Sequence, residues 1–245
     1  MISGKPPASA DEAIDQVCLG SRILAASGYE DLTLGHLSVR GPDRSSFYIK
    51  RKGMRLGNVT RADVARVDVD DPGSLRSSGL HLETVMHQGV YKLRPDVGCV
   101  IHGHPIYGTS LGSTDAGLAM ASHDAVLFHD GVGLYGVSAD LITTPEQGQK
   151  VAEALGQRRA GLLKNHGVIL VGQDVRWAIL AALSLERAIR VQAIARSLGN
   201  IRAIGEEEAE GMFAEKYQDG FLDEYWIDWV TSIEPETGRS ERRIG

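Results

Sequence analysis

Eight histidines stand in this chain, His36, His81, His87, His102, His104, His123, His129 and His166, and five of them fall between residues 81 and 123. His102 and His104 form a His-x-His directly behind the apolar run Cys99-Val100-Ile101. Side chains two apart on an extended strand point to the same face, so both imidazoles can approach one ion. Three protein ligands with an open coordination position make a catalytic rather than a structural divalent-metal site. His166, in Asn165-His166-Gly167 at a second strand end, is the candidate for the third. Glu83 precedes His87 by four residues, about one helical turn, and a carboxylate beside a divalent ion either ligates it or moves a proton. Each signal has a plain alternative. A His-x-His arises by chance, a turn carries any polar residue, and a glutamate in the first turn of a helix is commonly solvated. The joint placement of both histidine motifs at the edges of apolar strands favours the metal. For His87 a hydrogen-bonded core or supporting histidine is the preferred reading.

The elements that must position these groups follow from the apolar pattern. Residues 1–8 are rich in small residues and proline and are expected to be a loose arm. Ser9 or Asp11 then caps a helix running towards Gly28. Leu37–Val39 and Ser46–Lys50 read as short strands around Gly41-Pro42-Asp43, and Val64–Val69 as a further strand before Asp71-Pro72-Gly73. From Leu82 to Leu93 the positions Leu82, Val85, Met86, Val90 and Leu93 recur at helical spacing, and Arg94-Pro95 forces the exit. Val97–Ile101 is a buried strand by its apolar, β-branched content. Two more strands flank Lys164-Asn165-His166-Gly167. The longest helix spans Val175–Leu198, and a last acidic helix begins near Gly205 and includes Met212, Phe213 and Tyr217. The tail after Glu234 is polar and expected to be mobile.

With 245 residues, 42% of them hydrophobic, the chain suffices for one substantial α/β core, and it reads as one domain over 1–245, closing with a C-terminal helix and tail over 205–245. The net charge of -6 gives no electrostatic reason to expect nucleic acid or an anionic membrane as partner. A small molecule is the default. Cys18 and Cys99 sit among apolar residues and are expected to be free buried thiols, which fits a reducing cytoplasm. No apolar run approaches a signal-peptide core or a membrane span, so a cytoplasmic protein is expected.

Several ordered motifs carry a family resemblance over roughly Asp11 to Leu198: Leu34-Gly35-His36-Leu37-Ser38-Val39-Arg40, Glu83 with His87, Arg94-Pro95-Asp96, His102-Gly103-His104, and Asn165-His166-Gly167. On these the chain resembles the class II aldolase/adducin family. The resemblance implies a three-layer α/β/α fold with a central, mainly antiparallel sheet covered by helices. It also implies that His102, His104 and His166 ligate a divalent ion, zinc first and manganese, cobalt or iron as alternatives, with Glu83 as the acid/base. A homotetramer with its active site between subunits is implied as well. The segment Phe221–Trp229, with Tyr225, Trp226 and Trp229, could cover a neighbour's pocket or dock on its own domain.

The departures from the family pattern bear on substrate. Phosphosugar aldolases of the family hold phosphate with an asparagine, a threonine-glycine turn and a serine pair. The matching positions here hold His36, Lys52-Gly53 and His81-Leu82. With the basic stretch Lys50-Arg51-Lys52 and Arg55, they are expected to receive a small anionic carboxylate rather than a phosphate. His123, in Ser122-His123-Asp124-Ala125, falls where the aldolases use a tyrosine from a neighbouring subunit to protonate carbon, and an imidazole can take that role. The chain is thus similar to the branch containing decarboxylases of dihydroxylated aromatic acids, of the dihydroxyphthalate type, and of oxo acids, which would place it in aromatic catabolism. An aldolase acting on a non-phosphorylated hydroxy-oxo acid uses the same chemistry. Three histidines also suit a non-haem iron oxygenase. A non-enzymatic adducin-like module is the alternative from another class.

Overall fold

The Asp43 carboxylate accepts from the backbone N–H of Ser45 and Ser46 and from the Ser46 hydroxyl, at 2.9–3.2 Å, and so closes the turn between β1 (His36–Arg40) and β2 (Ser46–Lys50). The protein is described here by a computed structural model covering residues 3–76 and 79–233. β3 (Val64–Asp68) pairs antiparallel with β2, and on the other side β1 pairs antiparallel with β4 (Cys99–Gly103). β4 pairs antiparallel with β7 (Gly167–Gly172), and β7 with β6 (Ala160–Leu163). β5 (Gly133–Tyr135) joins β6 in parallel, which completes a seven-stranded sheet in the order β3-β2-β1-β4-β7-β6-β5.

The helices are α1 (Ala10–Ala26), α2 (Thr84–Leu93), α3 (Ile106–Gly112), α4 (Pro145–Leu155), α5 (Val175–Leu198), α6 (Glu206–Lys216) and α7 (Asp219–Ile233). Period-two alternation along the strands sends Cys99 and Ile101 to one core, with Val17 of α1 and Ile179 of α5, and Val100 to another, with Met86 of α2 and Val151 of α4. The sheet therefore has a hydrophobic layer on both faces. This is the expected three-layer α/β/α arrangement with a mainly antiparallel sheet. On the second face α2 and α4 approach until glycine is required. A Cβ on Gly148 would stand 2.2 Å from the Val85 carbonyl oxygen, and one on Gly89 would stand 2.5 Å from that of Gly148.

Several boundaries differ from the apolar pattern. β4 begins at Cys99 and runs on to Gly103, so His102 lies within the strand rather than beyond it. Leu82 is outside α2 and 66% exposed, because the helix starts after Glu83. The arm expected to be loose is docked from Ser3: the Gln16 side-chain amide donates to the carbonyls of Ser3 and Lys5, both at 2.7 Å, and Gly4 packs beneath Arg176 and Trp226. Met1 and Ile2, like the tail from Glu234 onward, lie outside the described residues. α7 docks on its own domain through Leu222, Trp226 and Val230, all buried. Both cysteines are free and buried. No helix among the described residues is long and apolar enough to cross a membrane.

Candidate metal centre

Antiparallel pairing of β1 with β4 sets His36 directly opposite His102. His102 shares its strand face with Val100, two residues back, and so points towards the layer formed by α2 and α4. Glu83 occupies the N-cap of α2 and turns its carboxylate to this point. Its Oε2 lies 3.4 Å from His102 Nε2 and its Oε1 lies 3.3 Å from His166 Nε2, while the Ile142 amide donates to Oε1 at 3.1 Å. One ligand atom each from Glu83, His102, His104 and His166 falls within 4.8 Å of the others.

The turn that carries His166 explains its own sequence. Asn165 sits at φ 53, in the left-handed region that asparagine tolerates better than most residues. Gly167 is needed for approach: a Cβ there would stand 2.5 Å from the Gly103 oxygen and 2.8 Å from His104 Cδ2. Asn165-His166-Gly167 thus makes the bend, supplies the imidazole and clears the space in front of His104.

Outer partners orient the rings. His102 Nδ1–H donates to the Val168 carbonyl at 2.9 Å, which fixes the ring with Nε2 turned towards Glu83. His104 Nδ1 lies 3.0 Å from Asp31 Oδ2, a carboxylate–imidazole pair of the kind that orients metal ligands. His102 Nε2 and both ring nitrogens of His166 are buried with no hydrogen-bond partner among the described residues. Such orphaned nitrogens are costly unless something binds them. Facing a carboxylate, they form a donor set that fits a divalent ion. Burial pushes the Glu83 carboxyl up, but the neighbouring His102 and His166 imidazoles override this and hold it well below the usual carboxylate range.

The other predicted site residues are placed unequally. His36 and His87 are fully buried, with His36 Nδ1 2.7 Å from His87 Nε2 and His87 Nδ1 2.7 Å from Ser38 Oγ. The His81 ring lies 4.5 Å from that of His36. Burial lowers the pKa of His36 and His87 far below the ordinary histidine value, and burial together with Lys50 lowers His81 to about 4. Burial thus favours the neutral form of all three imidazoles. The buried charge beside them is Lys50. Its ammonium donates to the carbonyls of Met54, Thr33 and Arg51 at 2.6, 3.0 and 3.3 Å and lies 3.3 Å from His81 Nε2. Burial lowers it to about 8.

Lys52 is exposed on a turn whose Gly53 has φ +83, and no hydrogen bond or ion pair joins either residue to the histidine cluster among the described residues. His123 is exposed too, outside the four-residue cluster. It lines a cavity of about 380 Å³ with Met212, Phe221 and Tyr225. Sequence reasoning missed Asp31 and Ser38, which meet His104 and His87 only through tertiary contacts, and Tyr91, which reaches His87 through Ser38.

Three imidazoles and a carboxylate converge at the middle of a mainly antiparallel sheet between two helical layers, a donor set that could hold a metal ion in an α/β fold of the class II aldolase type. The family profile described as Class II Aldolase and Adducin N-terminal domain matches residues 15–193, and the chain belongs to that family. It is 29% identical over 185 residues to the Meiotically up-regulated gene 14 protein of Schizosaccharomyces pombe, covering 74% of this chain and 72% of that one. To Decarboxylase NovR of Streptomyces niveus it is 27% identical over 192 residues, covering 77% and 71%. L-fuculose 1-phosphate aldolase from Glaciozyma antarctica superposes with a TM-score of 0.79 at 26% identity, covering 94% of both chains.

Proposed function

We propose that this protein is a divalent-metal-dependent carbon–carbon lyase, a decarboxylase of a small hydroxylated carboxylic acid. Ortho-dihydroxyaromatic acids, including those of the dihydroxyphthalate type, head the class, with oxo acids next. The observation that carries this reading is the convergence of Glu83, His102, His104 and His166 within 4.8 Å, beside neutral His36 and His81 where phosphosugar enzymes are expected to cradle phosphate. The likeness to a protein named as a decarboxylase supports the same choice.

A divalent ion held by His102, His104 and His166, zinc foremost, would supply a Lewis acid that offsets charge developing on the substrate oxygens. For an oxo acid the carbon–carbon bond to the carboxylate breaks, carbon dioxide leaves, and the electron pair it leaves behind becomes an enolate that is then protonated; for an ortho-dihydroxyaromatic acid the ring carbon takes a proton first, and loss of carbon dioxide returns the electron pair to the ring. Glu83, ionised and fixed by the Ile142 amide, takes the proton of a substrate hydroxyl and returns one to carbon. His123 of a neighbouring subunit is the other proposed donor, in the homotetramer that the family resemblance suggests. Lys50 supplies the positive potential that draws a carboxylate towards the pocket.

Carbon dioxide release tests this reading directly. Metal-loaded protein is incubated with dihydroxybenzoates, dihydroxyphthalates and 3-oxo acids in deuterated water, and carbon dioxide together with deuterium on the product carbon is the expected result. An aldehyde released from hydroxy-oxo acids, with no carbon dioxide from any of the panel, would assign the aldolase reaction instead. Purified protein that retains no metal and turns over none of these compounds would return the non-enzymatic adducin-like reading.

A further inference from the structure

A chain of four buried side chains runs from the core to the metal centre, and the direction of every proton in it can be derived. Tyr91, Ser38, His87 and His36 are each no more than 1% exposed. The Ser38 carbonyl can only accept, so the Tyr91 hydroxyl, 3.1 Å away, donates to it. That spends the single phenol proton. The 2.8 Å contact between Ser38 Oγ and Tyr91 Oη must then be donated by the serine, which spends the serine proton in turn. His87 Nδ1 therefore carries the hydrogen in its 2.7 Å contact with Ser38 Oγ, and a neutral His87 is left with a lone pair on Nε2. His36 Nδ1 must donate to that lone pair across 2.7 Å. A neutral His36 thus ends the chain with an unprotonated Nε2, and this atom is buried without a partner among the described residues. Its ring lies 5.0 Å from that of His102 and 4.5 Å from that of His81.

We propose that Tyr91, Ser38 and His87 lock His36 in the tautomer whose bare Nε2 accepts a hydrogen bond from a substrate hydroxyl beside the metal centre. His36 is then a specificity-determining residue, and the other three are positioning residues acting through it. The site selects a substrate that keeps a protonated hydroxyl at this point, and it disfavours an ether or an anionic oxygen there, which would oppose a lone pair with a lone pair. The inference rests on the metal-centre reading above and deepens its substrate class.

Catechol and its monomethyl ether guaiacol are the probes, titrated into metal-loaded wild type and His36→Phe. One neutral hydrogen bond in a buried site corresponds to about a tenfold effect on affinity, so the preference for catechol is expected to fall about tenfold in the variant with metal content unchanged. A preference that is unaltered in the variant would mean that the metal alone discriminates, and loss of the ion would make His36 a ligand. Either result overturns the proposal.

Should His36→Phe fail to fold, nitrogen-15 spectra of the histidines report the tautomer in the wild type without any substrate. His36 is expected to show a protonated Nδ1 and a bare Nε2, with Tyr91→Phe mixing the two tautomers. A protonated Nε2 in the wild type, or an unmoved tautomer in Tyr91→Phe, sinks the lock. Absence of carbon dioxide release together with intact probe discrimination would remove the decarboxylase reading and leave this inference standing.

Discussion

Glu83 has both carboxylate oxygens engaged, one towards His102 and the other towards His166 and the Ile142 amide. Glu83→Gln keeps the shape and one carbonyl acceptor but removes the base. It is expected to retain the metal by elemental analysis while turnover falls at least about 100-fold, the scale of a lost general acid/base. Lys50 gives a test that needs no substrate. Its ordinary value of 10.5 is lowered to about 8 by burial. Below about pH 8 folded and unfolded chains both hold the proton, and the burial cost is fully present. Between about 8 and 10.5 the unfolded chain keeps a proton that the folded chain has released, so stability rises with pH. The rise has an upper limit of about 3 kcal/mol, and denaturant unfolding across that window is expected to show it in the wild type and not in Lys50→Met. At this scale the three metal-ligand candidates and Glu83 were legible from types and spacing. Asp31 was not, because it meets His104 across 73 residues of chain and no local pattern marks it.

The three imidazoles depend on how β4 and the β6–β7 turn fit together, and Gly167 is where that fit is tightest. Gly167→Ala is expected to displace His104 or the turn and to weaken metal binding about 10–100-fold, the range seen when a ligand's support is disturbed. Competition against a chelator measures this, with an unchanged far-ultraviolet spectrum showing that the fold survives. Strands and helices with clear apolar periods were readable, as α5 and the β6–β7 hairpin show. β5 was not, since three residues are too short to display alternation. α4 carried a usable signal that apolar periodicity passes over: Thr144 caps it, Pro145 opens it and Gln147 closes the capping box. The end of β4 was hidden by its own chemistry, because His102 is polar and an apolar-run criterion stops at Ile101.

At the scale of the molecule, Leu34, Leu82, Ile106 and Leu141 are all exposed, and each stands within two residues of His36, Glu83, His104 or Ile142. Large apolar side chains gathered this way suit a surface covered by another subunit. Sedimentation is expected to give four times the 26.4 kDa chain mass, and Ile106→Asp to lower that mass while metal content is kept. The composition pointed to one core. The two hydrophobic layers on opposite faces of the sheet became visible only with its register, since alternate residues of one apolar run serve different cores. The candidate ligands themselves come from a helix start, a central strand and a hairpin turn, spanning residues 83 to 166. An ion seated there acts as a cross-link tying three distant stretches of chain, and it can be held only once the sheet has closed around it. Its binding free energy then adds to folding stability in proportion to the logarithm of free metal over the dissociation constant. The melting temperature of the protein becomes a metal sensor: the rise produced by equal concentrations of zinc, manganese, cobalt and ferrous iron would rank the ions before any substrate is known.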